Sequence, residues 1–379
     1  MGDDVEVNPY YGVFPYRDFL KEEGIPVFEG YAVDCHTVPV EPWERLGGLG
    51  TYVHVAGKSD YLSAYVVEIP PGGELKPEQH MHDKLMHVVS GRGSTVIERP
   101  DGKRYSFEWG PSAIFAIPIN AKHQIFNGSG TEPARLAAVT DLPIIFNIFR
   151  NPDFIFDNSF QFPERMAAEK YFDGEGEFRQ VKPGRHQWET NFVPELVNFE
   201  LPPWLARGAA GNNIQFLLGD SSMHCHISQF FEGTYKKAHA HNAGAHIFCV
   251  TGEGYSLLWR EGENPVDTVR VDWKPGTLYA PPDGPTYHQH FNVSSGQSRY
   301  LVFDFGGARY PVLESKMWNY ENMDKSVKAG GMQIEYEDED PEIHRIFEAE
   351  LKKHGAPCRM KAFIPYCTGE VGPTNARET

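Results

Sequence analysis

The feature that most constrains the fold is an internal repeat of short β-rich runs. Between about residues 50 and 148 the runs are AYVVEI, LMHVVSG, STVIER, AIFAIP and RLAAVT, separated by turns such as PPGG and PDGK. Between about residues 213 and 306 the same texture returns as IQFLLG, HISQFF, HIFCVTG, YSLLWR, TLYAPP and RYLVFDF. Many short strands at even spacing are typical of an antiparallel sandwich or barrel. The sequence therefore predicts an all-β protein made of two similar units.

The two units can be aligned on a glycine found near the middle of each. Gly91 in VVSGRG and Gly252 in CVTGEG lie 161 positions apart in near-identical contexts. With this offset, and an offset of 165 further along, the equivalent pairs are Glu78 and His239, His80 and His241, Lys84 and Ala245, His123 and His288, and Asn127 and Asn292. We expect each pair to occupy equivalent places in two copies of one β-unit.

The repeat divides the chain into an N-terminal arm (1–50), a first barrel (51–150), a connector (151–210), a second barrel (211–310) and a C-terminal extension (311–379). The connector is rich in Pro and aromatic residues and contains one plausible short helix, PERMAAEKYF, so we expect it to be ordered and packed on the sheets. In the extension, EDEDPEIHRIFEAELKKHG predicts a helix with Asp340 as N-cap, Pro341 in the first turn and Gly355 as the stop. Its apolar face comprises Ile343, Ile346, Phe347 and Leu351, and we expect this face to cover a sheet.

The charge of the chain excludes some classes of partner. Asp and Glu number 52 against 35 Lys and Arg, giving a formal net charge of −17. Nucleic acid and acidic membrane surfaces are therefore poor candidate partners. The N-terminus, MGDDVEVNPYYGVF, has acidic residues where a secretory signal needs basic ones, and no apolar stretch reaches membrane-spanning length. The sequence predicts a cytoplasmic protein.

The cysteines point in the same direction. They have irregular spacing and form no CxxC pair, which argues against a disulfide framework and against a thiolate zinc site. We expect small apolar side chains in a reducing compartment at Cys35, Cys225, Cys249, Cys358 and Cys367.

The stretch KKAHAHNAGAHIF, residues 236–248, places His239 and His241 two apart and His246 five further on. Residues two apart in a strand face the same side, so His239 and His241 project together, and His288 from a later hairpin can join them. His246 is predicted to face away from this group and to be a packed or surface residue. His224 and His226 in SSMHCHISQFF share one face, and periodicity leaves open whether that face lines a pocket or points outward.

These residues match a known pattern. The stretch GTYKKAHAHNAGAHIFCVTG resembles the first signature of the cupin superfamily, G-x5-H-x-H-x(3,4)-E-x6-G, with Ala245 where the Glu usually stands. The stretch GTLYAPPDGPTYHQHFN resembles the second signature, G-x5-P-x-G-x2-H-x3-N, with one extra residue before the His. Its named positions are Gly276, Pro282, Gly284, His288 and Asn292. Because the two copies cover roughly residues 50–306, the chain resembles a bicupin, which implies two tandem jelly-roll, or double-stranded β-helix, barrels.

The resemblance implies a divalent metal bound by His239, His241 and His288. Ala in place of the Glu, together with the HxH pair of the second signature, is similar to the gentisate 1,2-dioxygenase-like ring-cleaving dioxygenases, whose all-histidine site leaves room for a bidentate substrate and O2. Fe(II) is the metal we expect, although imidazole also serves Mn, Ni, Cu and Zn. His290 follows His288 by two positions and is the candidate catalytic proton carrier.

The first copy offers a possible second site at Glu78, His80 and His123. However, Lys84 takes the fourth ligand position and would place an ammonium group against the metal. We therefore predict that a Lys84–Glu78 pair replaces the ion and that the first barrel is metal-free.

The sequence as a whole predicts a metal-dependent dioxygenase that cleaves a small chelating substrate with O2, the substrate being an aromatic hydroxy acid, a catechol-like compound or a diketone. Expected substrate contacts are Gln215, His226, Tyr255, Trp259 and Tyr287. Two alternatives stay open. One is a non-oxidative cupin enzyme, such as a decarboxylase, lyase or isomerase, that uses the metal as a Lewis acid; the other is a non-catalytic metabolite-binding bicupin. The resemblance also implies a homo-oligomer, a dimer or higher.

Overall fold

The computed structural model describes residues 12–165, 168–182, 184–209, 211–241, 244–282, 286–307, 309–310, 312 and 322–369. Gly284 of the second signature and residues 1–11 of the arm lie outside the described residues. The helices are α1 (Pro15–Glu23), α2 (Leu142–Phe149), α3 (Pro152–Phe156) and α4 (Pro341–His354). Short 3₁₀ turns lie at Pro163–Arg165, Glu169–Phe172, Val327–Ala329, Tyr336–Asp338 and Met360–Ala362.

Strands make up most of the regular structure. The first part of the chain forms β1 (Val27–Gly30), β2 (Ala32–Asp34), β3 (Glu41–Trp43), β4 (Gly48–Val55), β5 (Ser63–Ile69), β6 (Lys84–Ser90), β7 (Gly93–Glu98), β8 (Arg104–Trp109), β9 (Ile114–Ile117), β10 (Lys122–Asn127) and β11 (Ala134–Thr140). The second part forms β12 (Glu177–Lys182), β13 (Arg185–Thr190), β14 (Phe192–Val193), β15 (Asn212–Leu218), β16 (Met223–Phe230), β17 (His239–Ala240), β18 (His246–Thr251), β19 (Gly254–Arg260), β20 (Val269–Trp273), β21 (Thr277–Tyr279), β22 (Thr286–Asn292) and β23 (Ser298–Phe305).

The strand order repeats, which confirms the predicted fold class. The first barrel has a large sheet in the order β1-β4-β5-β11-β6-β9-β14 and a small sheet in the order β10-β7-β8. The second barrel has β13-β15-β16-β23-β18-β21-β2 in its large sheet, extended by β12, and β22-β19-β20 in its small sheet, extended by β17. Each pair of facing sheets is a double-stranded β-helix, so the chain contains two tandem jelly-roll barrels.

The alignment of the two copies holds at the level of single residues. Gly91 and Gly252 have φ angles of 82° and 83°, in the left-handed region that favours glycine. A Cβ at Gly91 would meet the Ala134 backbone at 2.6 Å, and one at Gly252 would meet Ser298 Oγ at 1.9 Å. Each position therefore demands glycine for its conformation and for its space.

In each barrel, one edge strand comes from a segment outside the repeat. The strand β2, from the N-terminal arm, pairs with β21 of the second barrel, and β14, from the connector, pairs with β9 of the first barrel. The connector also forms the β12–β13 hairpin, whose second strand runs parallel to β15. These pairings tie the two barrels together and confirm that the connector is ordered.

The main apolar cores follow from this arrangement. One core fills the first barrel, and another, which includes Phe230, Trp273 and Tyr279, lies inside the second. A third lies where the two large sheets pack face to face, since it contains Val66 and Leu85 from the first copy together with residues of β15, β16 and β23. In a strand of a large sheet, alternate residues face the interior of the barrel and the core between the two large sheets. Both faces are therefore covered, which explains why most of these strands are buried throughout.

The predicted helix in the connector was wrong. Residues 163–172 form two 3₁₀ turns among the described positions, and Ala168 between them has extended backbone angles (φ −77°, ψ 149°). Two apolar residues of PERMAAEKYF, Tyr171 and Phe172, are nevertheless buried, and Phe172 packs in the core of the first barrel. The sequence did not predict the helices α1 and α2, which pack against each other on the same barrel.

The C-terminal helix is confirmed. In α4 the Asp340 side chain accepts a hydrogen bond from the backbone N–H of Glu342 at 2.9 Å, and Gly355 ends the helix with φ 66°. Ile343, Phe347 and Leu351 are buried against the outer face of the small sheet of the second barrel. The helix thus covers a sheet, as its apolar face predicts.

Candidate metal centre

Histidines meet on the inner face of the second barrel. In β17 and β22, His239 pairs directly with His288, and strand alternation places His290 on the same face. The ligand nitrogens of His239, His288 and His290 lie within 4.8 Å of one another. The ring centroid of His241 lies 4.6 Å from that of His288 and 5.6 Å from that of His239. His290 thus joins two of the sequence-predicted ligands, His239 and His288, in this group of nitrogens, and the ring of the third, His241, lies against both of theirs.

Hydrogen bonds on the far side of the rings orient two of these imidazoles. His239 Nδ1 donates to the carbonyl of Lys237 at 3.1 Å, so Nε2 carries the lone pair and faces the other rings. His290 Nδ1 lies 2.8 Å from Ser256 Oγ and 3.0 Å from the hydroxyl of Tyr279. Such outer contacts fix ring orientation at metal sites and leave the second nitrogen for the ion.

The protonation state of the cluster also suits a metal. Burial, followed by neighbouring positive and imidazole groups, holds the pKa values of His239 and His288 well below 6.5. For His290, burial is again the largest cause, and the pKa falls to about 3. These three imidazoles are therefore neutral at ordinary pH, as ligands must be.

The cluster borders a small cavity of about 40 Å³. His224 and His226 lie on its wall, with His224 Nε2 3.0 Å from His226 Nδ1, which settles the face that periodicity left open. Other lining residues are Arg185, Trp204, Arg207, Asn213, Ala245, Ile247, Tyr300, Val302 and Met323. Typical small-molecule sites enclose about 300–1,000 Å³, so this cavity is small for a ligand site.

Two arginines give the cavity a positive wall. Arg207 Nε lies 3.3 Å and Arg185 Nη2 2.9 Å from the same carboxylate, that of Asp324. Burial lowers the pKa of Arg207 to about 10, yet the group stays protonated near neutral pH. Two guanidinium groups thus share one carboxylate, which leaves a positive charge for an anionic ligand.

The predicted substrate contacts divide into two groups. His226 lines the cavity, and Gln215 pairs with it across β15 and β16 on the same face as Asn213. Tyr255, Trp259 and Tyr287 were placed wrongly: they alternate with inward residues and lie in the core beneath the C-terminal helix. Periodicity alone could not decide which face of β19 points inward.

The structure also places the other histidine of this stretch. His246 is fully buried in the large sheet, and its Nδ1 donates to the carbonyl of Gly244 at 2.8 Å. It is a packed residue outside the ligand cluster, which confirms its prediction.

In the first barrel, the predicted ion pair is present. Lys84 Nζ lies 3.2 Å from Glu78 Oε2 and 3.4 Å from His123 Nε2. Glu78 Oε1 accepts from Arg45 Nη1 at 2.9 Å. Burial raises the pKa of the Glu78 carboxyl, but Lys84, His123 and Arg45 outweigh it and leave this pKa well below its usual range. The ammonium group thus lies where Glu78 and His123 would otherwise meet an ion.

The sequence did not predict the positive wall that Arg185 and Arg207 give the cavity. Arg185 and Arg207 stand in the connector and Met323 in the extension, far along the chain from both signatures. The available signal was weak: Arg207 lies in the apolar stretch LPPWLARG, and Arg185 lies three residues before Trp188. Such a signal does not specify which barrel the residues approach.

Comparisons with known proteins give limited matches. No protein-family model matches the chain. The acireductone dioxygenase of Bacillus cereus is 38% identical over 48 residues, so the match spans 13% of this chain and only 28% of that protein's length. Among solved structures, an oxalate decarboxylase covers 74% of this chain and 78% of its own at a TM-score of 0.47 and 13% identity. A structure concerned with the Mn(II) centres of Bacillus subtilis oxalate decarboxylase has a TM-score of 0.46 and 14% identity, with the same coverage.

At these identities and scores, none of the similar proteins assigns a reaction to the chain. Within the described residues, no helix is long and apolar enough to span a membrane.

Proposed function

We propose that the protein is a bicupin metalloenzyme whose second barrel acts on a small anionic chelating substrate, with O2 as the second substrate. The observation that carries this proposal is the facing of a histidine cluster and an arginine pair across one cavity. Histidines alone would indicate a metal site. The added positive wall indicates a substrate that brings negative charge to the metal.

The residues present fit a divalent metal. His239, His241 and His288 are the proposed ligands, with Fe(II) the first candidate and Mn, Ni, Cu or Zn compatible with the same imidazoles. When bound, the metal would supply Lewis-acid and redox chemistry toward a chelating substrate and O2.

The remaining groups of the cavity have separable roles. Arg185 and Arg207 bind and orient a carboxylate or enolate oxygen through guanidinium N–H groups. His290 holds or transfers a proton at Nε2, and its Nδ1 contacts with Ser256 and Tyr279 keep the ring in place. Trp204 stacks beneath Arg185, whose guanidinium carbon lies 4.4 Å from the ring centroid, and helps to exclude water.

The size of the cavity sets a condition on access. A space of about 40 Å³ holds no aromatic ring, so a ring substrate requires part of the cavity wall to move. Met323 belongs to this wall and is attached through Arg207, which donates to the Met323 carbonyl at 2.8 Å. A bound anion that competes for Arg207 would weaken this attachment, which couples substrate binding to opening.

The small volume also favours a second candidate function. A non-oxidative reaction, in which the metal acts only as a Lewis acid, needs room for one small ligand and none for O2 beside it. A decarboxylase, lyase or isomerase acting on a small acid is therefore the alternative.

An oxygen-electrode experiment separates these functions. Metal-reconstituted protein is mixed with a panel of hydroxybenzoates, catechols, diketones and small dicarboxylates, and both oxygen uptake and substrate loss are followed. The dioxygenase proposal expects uptake in proportion to substrate loss, abolished in His241→Ala and retained in His354→Ala, an exposed histidine outside the site. Substrate loss without oxygen uptake would favour the second candidate, and binding without loss of any compound would leave a metabolite-binding protein.

A further inference from the structure

A second cluster of potential ligands lies far from the cavity, between the C-terminal helix and the residues that follow it. His344 and Glu348 are one turn apart on α4, and Cys358 and Cys367 follow the helix. His344, Cys358 and Cys367 are buried, with exposed fractions of 1%, 7% and 5%. Both cysteines are free thiols.

The separations within this cluster match a tetrahedral metal site. His344 Nε2 lies 3.1 Å from Glu348 Oε1, the two sulfur atoms lie 3.5 Å apart, and Cys367 Sγ lies 3.7 Å from Glu348 Oε1. All four ligand atoms lie within 4.8 Å of one another. Tetrahedral Zn²⁺ with its usual bond lengths would separate the same pairs by about 3.3, 3.8 and 3.6 Å, respectively.

The hydrogen bonds around His344 leave a lone pair that faces the other ligands. The hydroxyl of Tyr235 donates to Glu339, so His344 Nδ1, 3.3 Å from the same hydroxyl, is the donor in its own contact with Tyr235. Neutral His344 then has its Nε2 lone pair directed at the carboxylate of Glu348. Two acceptors at 3.1 Å repel each other unless a cation or a proton lies between them.

We propose that His344, Glu348, Cys358 and Cys367 form a structural zinc site. Two thiolates, one imidazole and one carboxylate complete a four-coordinate shell, which is typical of closed structural sites rather than catalytic ones. Binding replaces the two thiol protons, which pass to solvent, and leaves the shell with a net charge of −1. The proposal does not depend on the function of the second barrel.

The position of the site indicates what the zinc would stabilise. The extension that carries these ligands also covers the cavity: Met332 O accepts from Ala240 N at 3.0 Å, and Ile334 N donates to Ala238 O at 2.9 Å. Ala238 and Ala240 flank His239 in the first signature. Zinc would therefore clamp the cover of the histidine cluster to the outside of the same barrel.

Zinc content measured by elemental mass spectrometry tests the proposal. The full chain is prepared under reducing conditions, without a metal-affinity column, from zinc-supplemented cells, as wild type and as Cys358→Ser, Cys249→Ser and His241→Ala. We expect His241→Ala to hold about one zinc per chain, and Cys358→Ser to hold about one fewer than wild type and the control Cys249→Ser. Zinc that disappears in His241→Ala and persists in Cys358→Ser would overturn the proposal.

Cobalt substitution of wild-type protein tests the same site without relying on a cysteine variant, which could lose zinc by misfolding. Chelator-treated protein reconstituted with Co²⁺ should show thiolate-to-cobalt charge-transfer absorption, and chelator should lower the unfolding temperature of His241→Ala while leaving that of the double variant His241→Ala/Cys358→Ser unchanged. Absence of this absorption would overturn the proposal. So would an intact-mass measurement that finds Cys358 and Cys367 joined as a disulfide after purification under reducing conditions.

Discussion

At the residue scale, the two barrels show how a few side chains decide between an ion pair and a ligand cluster. Glu78 and His239 occupy equivalent places, as do Lys84 and Ala245. The repeat made the Lys84–Glu78 pair predictable, because strand alternation fixes which residues share a face. Arg45, which also binds Glu78, could not be predicted, since it lies outside the repeat and approaches only in the folded chain.

The buried pair gives a test of stability. Lys84→Met removes the ammonium group that neutralises Glu78 at Oε2, so a buried carboxylate loses a positive partner. This loss should destabilise the protein by about 3–5 kcal/mol near neutral pH. The double variant Glu78→Gln/Lys84→Met should recover most of this loss. Urea unfolding measures both changes, and a Lys84→Met variant within about 0.5 kcal/mol of wild type would contradict the assignment.

The fourth histidine of the cluster gives a test of roles. His241→Ala should lose the metal, whereas His290→Ala should retain it and lose turnover, because His290 is proposed to handle a proton and not to bind the ion. Metal content and turnover number are measured on both variants with saturating substrate. Loss of metal from His290→Ala as complete as from His241→Ala would make His290 a ligand.

At the element scale, the ends of the C-terminal helix were predictable and its surroundings were not. Asp340, Pro341 and Gly355 carry local signals that act within one turn, so the sequence alone specifies α4. The apolar face of α4 predicted a cover for a sheet, but only the fold shows that this sheet carries His288 and His290. The helices α1 and α2 escaped prediction because tertiary packing, and not local periodicity alone, stabilises short helices.

The stability that Glu339, next to the start of α4, gives to the protein should depend on pH. The pKa of Glu339 is raised from 4.5 to about 7, mainly because the carboxyl group is buried. A carboxyl whose folded pKa is raised contributes stability below its unfolded pKa, and this contribution is lost as pH rises through 7. Between about pH 5 and pH 8 the free energy of unfolding should therefore fall by about 3 kcal/mol more in wild type than in Glu339→Gln.

Urea unfolding at the two pH values checks this expectation. Gln at this position mimics the protonated carboxyl and can still bond to Gln289, which lies 3.1 Å from Glu339 Oε2. Equal pH dependence in the two proteins would show that Glu339 ionises normally.

At the scale of the whole molecule, the barrels are expected to behave as one unit. The core between the large sheets draws residues from both copies, and β2 and β14 cross between them. The sequence predicted two barrels but not their interdigitation, because the exchanged strands are too short to give a periodic signal. The homo-oligomer implied by the resemblance stays a prediction, which light scattering of the purified protein can measure.

Calorimetry tests the coupling of the barrels. Phe216 is 2% exposed within the shared core, and Phe216→Ala should cost about 3–5 kcal/mol. We expect a single unfolding transition in wild type and in the variant, shifted as a whole. Two transitions, with only one of them displaced by the substitution, would show that the barrels unfold independently.

The central claim is that the second barrel binds a catalytic divalent metal and the first barrel does not. The most direct measurement is the affinity and stoichiometry of Fe(II) added anaerobically to metal-free protein, for wild type, for His241→Ala and for His80→Ala. We expect iron to bind to wild type and to His80→Ala, and this binding to be lost in His241→Ala. Iron binding that survives in His241→Ala and disappears in His80→Ala would place the site in the first barrel and contradict the account.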